Sequence, residues 1–279
     1  MIRFLRQFDP HTIRLLIFDL DGTLVDSRLD LIQSINAMLR HFSRPELPGD
    51  LIATYVGDGA PTLVRRALGD AGDEQLFKSA LEYFLAYYRI HKLDHTTVYA
   101  GIPEALARIA ASPCGAGLPA RQSTEALIDS SSRSLQPSQP DLGPPLDADI
   151  RADRLALSKA RPTQASRRLM AVLSNKPVNP SRDIIRALGL GDFFVCVYGG
   201  NSFATKKPDP QGVQTILEET GVAASDGIII GDSSIDVLTG RNAGLWTCGV
   251  TYGFAPQTLK DLPPDVVVES PSELAELFE

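Results

Sequence analysis

The stretch LLIFDLDGTLVDS, residues 15–27, joins an apolar run to three aspartates. Four apolar residues lead into Asp19 and Asp21, which are one residue apart, and a glycine and a threonine follow. An apolar run without polar alternation is typical of a strand that is buried on both faces of a sheet. The sequence therefore predicts a central strand that delivers two carboxylates to its carboxyl end.

Further apolar runs of strand length follow, and helical patterns separate most of them. The predicted strands are 13–18, 169–174, 193–198, 227–231, 246–250 and 265–269. The predicted helices between them include 180–188, 210–220 and 234–243. Strands that alternate with helices favour a parallel sheet covered on both faces. We expect an α/β fold built on a doubly wound parallel sheet.

Two segments interrupt this alternation. Residues 28–96 are helical in pattern throughout, and we interpret them as a small helical domain inserted after the first predicted strand. Residues 112–168 are rich in Ser, Pro, Ala, Asp and Arg, a composition that buries little apolar surface. We expect a surface insertion there, with short helices near 123–131 or 150–160. Residues 1–27 and 97–279 then form the core domain.

The composition excludes several classes of protein. The 279 residues carry a formal charge of −7, so a broad nucleic-acid surface is not expected. Cys114, Cys196 and Cys248 fit no zinc spacing, and we interpret the last two as buried thiols of a protein in the reducing cytoplasm. The beginning of the chain is broken by charges, so we expect neither a signal peptide nor a membrane partner. The composition predicts no oligomeric state.

Polar residues follow three of the predicted strands. Asp19 and Asp21 follow the first, Ser174 is the last residue of the strand at 169–174, and Asp232 follows the strand at 227–231. The carboxyl ends of parallel strands share one edge of a sheet, which is where ligands bind. Clustered carboxylates need a cation, and an all-oxygen set with few protein ligands suits Mg²⁺ and a substrate phosphate. The sequence therefore predicts a phosphate site with Mg²⁺ as cofactor.

Four motifs carry a resemblance to a known family. DLDGT, LSNKP, KKPDP and GDSSID resemble, in order and context, the motifs of haloacid-dehalogenase-like phosphatases. The stretch YVGDGAPTLVRRAL, residues 55–68, is similar to the helical cap of the phosphoglycolate phosphatases. The resemblance covers nearly all of the chain except 112–168. It implies a Rossmann-like core, a helical cap and a phosphoric monoester hydrolase.

The resemblance also implies roles for individual residues. Asp19 is expected to be the nucleophile, and Asp21 the acid that protonates the leaving oxygen and then the base that activates water. Ser174 and Lys207 are expected to hold the phosphate, with Lys207 preferred over Lys206 because it precedes Pro208. The implied metal ligands are Asp19, Asp232, the backbone carbonyl of Asp21 and, through the metal's waters, Asp236. The other substrate-binding residues implied in the core are Gly22, Thr23 and Asn175.

The predicted cap offers a second anion site. Gly57 and Gly59 precede a helix with Pro61 in its first turn, where free N–H groups and the helix dipole favour an anion. We expect Gly57, Asp58 and Gly59 to contact the substrate and Arg65 to add positive charge, with Arg66 as the alternative. A phosphate site facing an anion site suits a small substrate with a phosphate and a carboxylate. The expected partner is therefore a small phosphate ester, 2-phosphoglycolate.

Other functions stay open at this point. A dehalogenase is disfavoured because dehalogenases lack the second aspartate, which is present here as Asp21. A phosphonatase needs a cap lysine in a recognisable motif, and neither Lys78 nor Lys92 lies in one. The alternatives are a phosphatase or mutase that acts on a sugar phosphate, and a non-catalytic regulatory protein that binds a phospho-ligand.

Overall fold

The computed structural model describes residues 1–69, 73–114 and 167–279. The strands in these ranges are β1 (Arg3–Phe4), β2 (Leu15–Phe18), β3 (Val25–Asp26), β4 (Thr97–Val98), β5 (Leu169–Leu173), β6 (Cys196–Tyr198), β7 (Gly227–Gly231), β8 (Trp246–Val250) and β9 (Val266–Val268). The helices are α1 (Arg28–His41), α2 (Gly49–Ala53), α3 (Ala60–Leu68), α4 (Glu74–His91), α5 (Ile102–Ala111), α6 (Val178–Ala187), α7 (Gln211–Thr220), α8 (Ser234–Ala243) and α9 (Pro271–Leu277).

The central sheet has the strand order β1-β9-β8-β7-β2-β5-β6. Its pairs are parallel except that of β1 with β9, which is antiparallel. In register, Leu15 on β2 pairs with Leu169 on β5 and with Gly227 on β7. The strand order reverses around β2, which places the residue after it at a topological switch point, where ligands bind in open α/β sheets. The predicted doubly wound parallel sheet is confirmed.

Strand β2 shows why the apolar runs do not alternate with polar residues. Leu16 and Phe18 belong to the apolar cluster on the face covered by α5, α6 and α9. Leu15 and Ile17 point the other way, into the cluster that includes Val213 of α7. Successive side chains of a strand point to opposite faces, so a strand covered on both sides must be apolar throughout.

Helices α1–α4 form a module with an apolar core of its own, which we call the helical cap. Its buried residues include Ile35, Met38, Val64 and Phe84. The chain leaves the core domain at β3 and returns at β4, and these two short strands pair antiparallel. The expected cap inserted after the central strand is therefore present. The domain limits predicted from the sequence, 28–96 for the cap, stay a prediction.

The observed elements correct several predicted limits. The run at 13–18 is not the first strand, because β1 precedes it at the edge of the sheet. The strand predicted at 193–198 begins only at Cys196, since residues 191–193 form a short 3₁₀ turn. The helix predicted at 210–220 begins at Gln211, and a cis Lys207–Pro208 bond precedes it.

Three further expectations concern the predicted helices of the insertion, the cysteines and the absence of a membrane partner. The predicted helices near 123–131 and 150–160 lie outside the described residues. Cys196 and Cys248 are buried thiols, as predicted, and Cys114 is buried too. Within the described ranges, each helix falls short of the length and apolar character that crossing a bilayer requires.

Candidate active site

Three neighbouring parallel strands end at one point and continue into polar residues. Asp19 follows β2, Ser174 follows β5, and Asp232 follows β7. The backbone N–H of Asp19 still donates to the Ile230 carbonyl at 2.9 Å, so the sheet itself fixes where this carboxylate begins. The polar residues that the sequence scatters over more than 200 positions meet at this sheet edge because the strands are adjacent and parallel.

Three carboxylates form a compact buried cluster at this edge. Ligand oxygens of Asp19, Asp232 and Asp236 all lie within 4.8 Å of one another. Asp232 Oδ2 accepts the backbone N–H of Ala255 at 3.1 Å, and Asp236 Oδ2 accepts the Ser233 hydroxyl at 2.7 Å. Asp19 Oδ1 is buried and has no hydrogen-bond partner among the described residues. Hydrogen bonds from neighbouring residues thus hold Asp232 and Asp236 in place, whereas Asp19 Oδ1 accepts none among the described residues.

Lys207 supplies positive charge to this cluster. Its Nζ lies 2.6 Å from Asp236 Oδ1, to which it donates a hydrogen bond. It also lies 2.9 Å from Asp19 Oδ1, at ion-pair distance but without hydrogen-bond alignment. The neighbouring Lys206 points elsewhere, to the Asp58 carbonyl in the helical cap. Burial opposes the charge of Lys207, but Asp19 and Asp236 outweigh it and raise the pKa of the ammonium.

The electrostatics of the cluster leave it short of positive charge. Burial raises the pKa of Asp19 to about 6, and Asp236 adds to this while Lys207 opposes it. Burial also raises the pKa of Asp232 to about 7, with Asp236 and Asp19 acting in the same direction. Three buried carboxylates face one ammonium, and like charges at this range disfavour ionisation. An additional cation fits this excess of carboxylates and the all-oxygen donor set.

Asp21 lies apart from the three-carboxylate cluster. Both of its carboxylate oxygens accept hydrogen bonds from Lys176 Nζ at 2.8 Å, and Ser27 also donates to it. Lys176 is buried, and although burial opposes its charge, Asp21 raises the pKa of its ammonium. Asp19 contacts Lys207 instead, and the chain turns at Gly22, directly after Asp21, with φ of +83°. Asp19 and Asp21 therefore face one cavity from different positions.

A cavity between the cap and the sheet edge is lined by the candidate catalytic residues Asp19, Asp21 and Ser174, but not by Lys207. Its polar walls are Asp19, Asp21, Ser174, Asn175, Lys176, Asp232 and Ser233. Its cap walls are mostly apolar, with Val56, Leu63, Phe84, Leu85 and Tyr88 among them. Asn175 connects the core and cap walls of the cavity, because its Nδ2 donates to the Gly57 carbonyl of the cap at 3.1 Å and to the Lys207 carbonyl of the core at 3.0 Å.

A family model for haloacid dehalogenase-like hydrolases matches residues 16–130 and 164–250. This covers more than half of the chain and includes β2, β5 and β7 with the residues that follow them. The chain belongs to the haloacid dehalogenase-like hydrolase family. It is an enzyme of the phosphatase type, and the match omits residues 131–163, inside the segment predicted to be an insertion.

Curated relatives of this haloacid dehalogenase-like hydrolase are phosphoglycolate phosphatases. The one from Chromobacterium violaceum is 30% identical over 270 residues, covering 95% of this chain and 96% of its own length. The one from Neisseria meningitidis is 29% identical over 272 residues, covering 95% and 93%.

Solved structures show the same fold. A predicted phosphoglycolate phosphatase from Haemophilus somnus superposes with a TM-score of 0.72 at 24% identity, covering 96% of this chain and 99% of that one. A subfamily IA member of the superfamily from Geobacter sulfurreducens superposes with a TM-score of 0.60 at 17% identity, covering 96% and 97%.

Not every predicted site residue of this hydrolase reaches the cavity. Arg65 is outside it, because its guanidinium pairs with Glu74 and lies over the ring of Phe77. Asp58 also points away and pairs with Arg66 at 2.7 Å. The side of α3 that carries both arginines faces outward, away from the cavity in which Arg65 and Asp58 were expected to contact the substrate.

The glycines and Thr23 have packing roles that the sequence did not indicate. Thr23 is buried and absent from the cavity wall, and its carbonyl accepts the Tyr252 hydroxyl at 3.1 Å. Gly22 also does not line the cavity, and it lies against the Asp232 carboxylate instead. Gly57 and Gly59 do line it, and a Cβ on Gly59 would come within 2.9 Å of the Asn175 carbonyl. The glycine at 59 therefore lets the cap approach the core.

Lys176 is the functional candidate that sequence reasoning missed. It was visible only as the fourth residue of the LSNKP motif, after the hydroxyl and amide that received roles. Its burial and its contact with Asp21 depend on the fold, since 154 residues separate the two positions along the chain. The sequence showed only a lysine next to the end of a predicted strand, and a lysine at such a position is usually solvated.

Proposed function

We propose that this phosphatase depends on Mg²⁺ and hydrolyses a small phosphate monoester, 2-phosphoglycolate, through an aspartyl-phosphate on Asp19. The observation that carries the proposal is the buried cluster of Asp19, Asp232 and Asp236 beside Lys207 at the sheet edge. A carboxylate can attack phosphorus and form a covalent intermediate. Phosphoryl transfer needs mainly positioning and neutralisation of charge, and Lys207 together with a bound Mg²⁺ would neutralise the charge here.

The first half-reaction transfers the phosphoryl group to the protein. A carboxylate oxygen of Asp19 attacks phosphorus, and the bond from phosphorus to the ester oxygen breaks. Asp21, in its protonated form, gives its proton to that oxygen, so the alcohol leaves neutral. Lys207 and the Ser174 hydroxyl hold the phosphate oxygens while the charge on them is redistributed.

The second half-reaction returns the protein to its starting state. Asp21 is now a carboxylate and takes a proton from a water molecule that attacks the phosphorus of the aspartyl-phosphate. The bond from phosphorus to Asp19 breaks, which releases inorganic phosphate and restores the carboxylate. The alternation of one residue between acid and base requires that it lie apart from the nucleophile, as Asp21 does through its contact with Lys176.

The residues that would hold Mg²⁺ are Asp19, Asp232 and the backbone carbonyl of Asp21, with Asp236 bonding to the metal's waters. When bound, the ion supplies positive charge to the phosphate and to the buried carboxylates. The fit rests on the chemistry of the donor set and on the buried Asp19 oxygen without a hydrogen-bond partner among the described residues.

Two observations support 2-phosphoglycolate as the substrate. Curated relatives that span nearly the whole chain are named phosphoglycolate phosphatases. The cavity is closed on the cap side by apolar residues and by Gly57 and Gly59, which leaves room for a small leaving group.

A phosphate-release assay with a panel of small esters tests the proposal. We expect turnover only with added Mg²⁺, and the highest kcat/KM for 2-phosphoglycolate. Full activity in excess chelator would contradict the metal requirement. A higher kcat/KM for a sugar phosphate would contradict the substrate.

A further inference from the structure

One cation lines the cavity among the residues that the structure describes, and it is Lys176. Lys207 pairs with Asp19 and Asp236 and is not among the lining residues, and Arg65 and Arg66 point out of the cap. The Lys176 side chain is only 5% exposed, so its ammonium is directed into the interior. A second anionic group on a substrate would have to meet this side chain.

The position of Lys176 relative to Asp21 fixes which part of a substrate it meets. Asp21 has to lie at the ester oxygen to protonate it, as the proposed function requires. Lys176 Nζ lies 2.8 Å from both Asp21 oxygens. It is therefore one hydrogen bond away from the carboxylate that contacts the ester oxygen. The group next to the ester oxygen on that side is the leaving group. Lys176 therefore borders the leaving group, whereas Lys207 borders the phosphate.

Tyr88 adds a hydrogen-bond donor at the same place. It lies on α4 of the cap, lines the cavity, and places its ring centre 4.7 Å from Lys176 Nζ. Its hydroxyl is buried and has no hydrogen-bond partner among the described residues. Burial raises the pKa of this phenol to about 12, so the hydroxyl keeps its proton. A buried donor without a partner is costly unless a ligand satisfies it.

We propose that Lys176 and Tyr88 form a carboxylate site for the leaving group of the substrate. The proposal rests on the proposed function and deepens it, because it names the residues that select a phosphate ester carrying a carboxylate. Lys176 comes from the core and Tyr88 from the cap, so the site is complete only when the cap covers the cavity. A neutral leaving group of the same size would leave the ammonium with Asp21 alone and the phenol unpaired.

A matched pair of substrates isolates this site. 2-Phosphoglycolate and 2-hydroxyethyl phosphate share the phosphate, the ester oxygen and the adjacent CH₂, and differ in carboxylate against hydroxymethyl. Lys176→Met should lower the preference for 2-phosphoglycolate, measured as the ratio of the two kcat/KM values, by about 10- to 100-fold. Lys176→Arg keeps the charge and should retain most of the preference.

Tyr88→Phe removes only the hydroxyl and should lower the same ratio by about 3- to 10-fold. Tyr87 on the same helix stacks on His91 outside the cavity, so Tyr87→Phe is the matched control and should leave the ratio unchanged. Lys206 also joins core to cap without lining the cavity, so Lys206→Met is the control for the lysine.

A binding measurement gives a second readout that does not depend on turnover. 3-Phosphonopropionate is the methylene analogue of 2-phosphoglycolate, and calorimetric titration should show about 10- to 100-fold weaker binding to Lys176→Met than to wild type. Inorganic phosphate should bind both proteins equally. If Lys176→Met proves unstable, the kcat/KM ratio and the calorimetric titration are measured on Tyr88→Phe and its control, Tyr87→Phe.

The outcomes separate this inference from the proposed function. A wild-type preference for 2-phosphoglycolate that survives Lys176→Met and Tyr88→Phe overturns the carboxylate site and leaves the proposed function intact. Equal loss on both substrates assigns Lys176 to the positioning of Asp21 and also overturns the site. A wild type that does not prefer 2-phosphoglycolate overturns the proposed substrate, and the carboxylate site with it.

Discussion

Gly22 lies directly against the carboxylate of Asp232, and a Cβ built on Gly22 would overlap Asp232 Oδ2. The backbone of Gly22 also adopts φ of +83°, which side-chain-bearing residues rarely tolerate. The glycine of the DLDGT motif thus meets two demands, one of conformation and one of space. The space is needed because the turn after Asp21 passes beside a carboxylate of the proposed metal site.

Gly22→Ala should therefore damage the site beyond its conformational strain. The methyl group would displace Asp232, and a displacement of about 1 Å in a reacting site can lower the rate about 100-fold. We expect a decrease of that order in kcat for 2-phosphoglycolate. Gly221, at the end of α7, has φ of +66° and nothing within 4 Å of an added Cβ. Gly221→Ala should cost about 1–2 kcal/mol of stability and leave kcat unchanged, and equal kcat values for the two variants would refute the steric argument.

Lys207 should matter for stability as well as for activity. Its ammonium is buried between Asp19 and Asp236, so Lys207→Met leaves two buried carboxylates without their counter-charge. Removing one partner of a buried ion pair costs about 3–5 kcal/mol, and urea denaturation should show a loss of this size. Adding Asp236→Asn to this variant should recover part of the loss. A Lys207→Met protein as stable as wild type would mean that the buried charges are balanced in another way.

The metal requirement should depend on Asp232 and Asp236 to different degrees. Asp236→Asn changes a group expected to bond to the metal's waters, and should raise the Mg²⁺ concentration for half-maximal activity about 10- to 100-fold. Asp232→Asn removes a direct ligand and should raise it further. Ca²⁺ should inhibit the wild type, since it takes more ligands at longer distances and would misplace the phosphate relative to Asp19. Identical Mg²⁺ titrations for wild type and Asp232→Asn would contradict this metal site.

Arg65 should be dispensable. Its pairing with Glu74 is exposed, and such pairs contribute little to stability. Arg65→Gln should change kcat/KM for 2-phosphoglycolate less than about twofold and leave the stability within about 1 kcal/mol. A loss comparable to that of Lys176→Met would restore Arg65 to the substrate site.

The sequence predicted best what is set by local pattern and burial. Strands β7 and β8 were predicted residue for residue, because buried parallel strands are short apolar runs with clear ends. The positions of Asp19, Ser174 and Asp232 at one sheet edge also followed, since parallel strands bring their carboxyl ends together. The limits of β6 did not follow, because Phe193 ends a 3₁₀ turn and Phe194 and Val195 connect it to the strand, although this apolar run is typical of a strand.

Tertiary orientation is what the sequence could not supply. The GDGAPTLVRRAL pattern predicted α3 and its N-terminus, but the rotation of the helix that turns Arg65 outward depends on the packing of the cap. The meeting of Lys176 with Tyr88 requires the cap to lie over the core, and no local pattern encodes that contact.

The measurement that decides whether Asp19 is the nucleophile is the capture of the phosphorylated protein. Asp21→Asn should transfer the phosphoryl group slowly and hydrolyse the intermediate more slowly still, because it lacks the base that activates water. Acid quenching of this variant with radiolabelled 2-phosphoglycolate and Mg²⁺, followed by peptide mapping, should place the label on the peptide that contains Asp19. The double variant Asp19→Asn with Asp21→Asn should carry none. Label that persists in the double variant, or normal turnover by Asp19→Asn alone, would contradict the aspartyl-phosphate route.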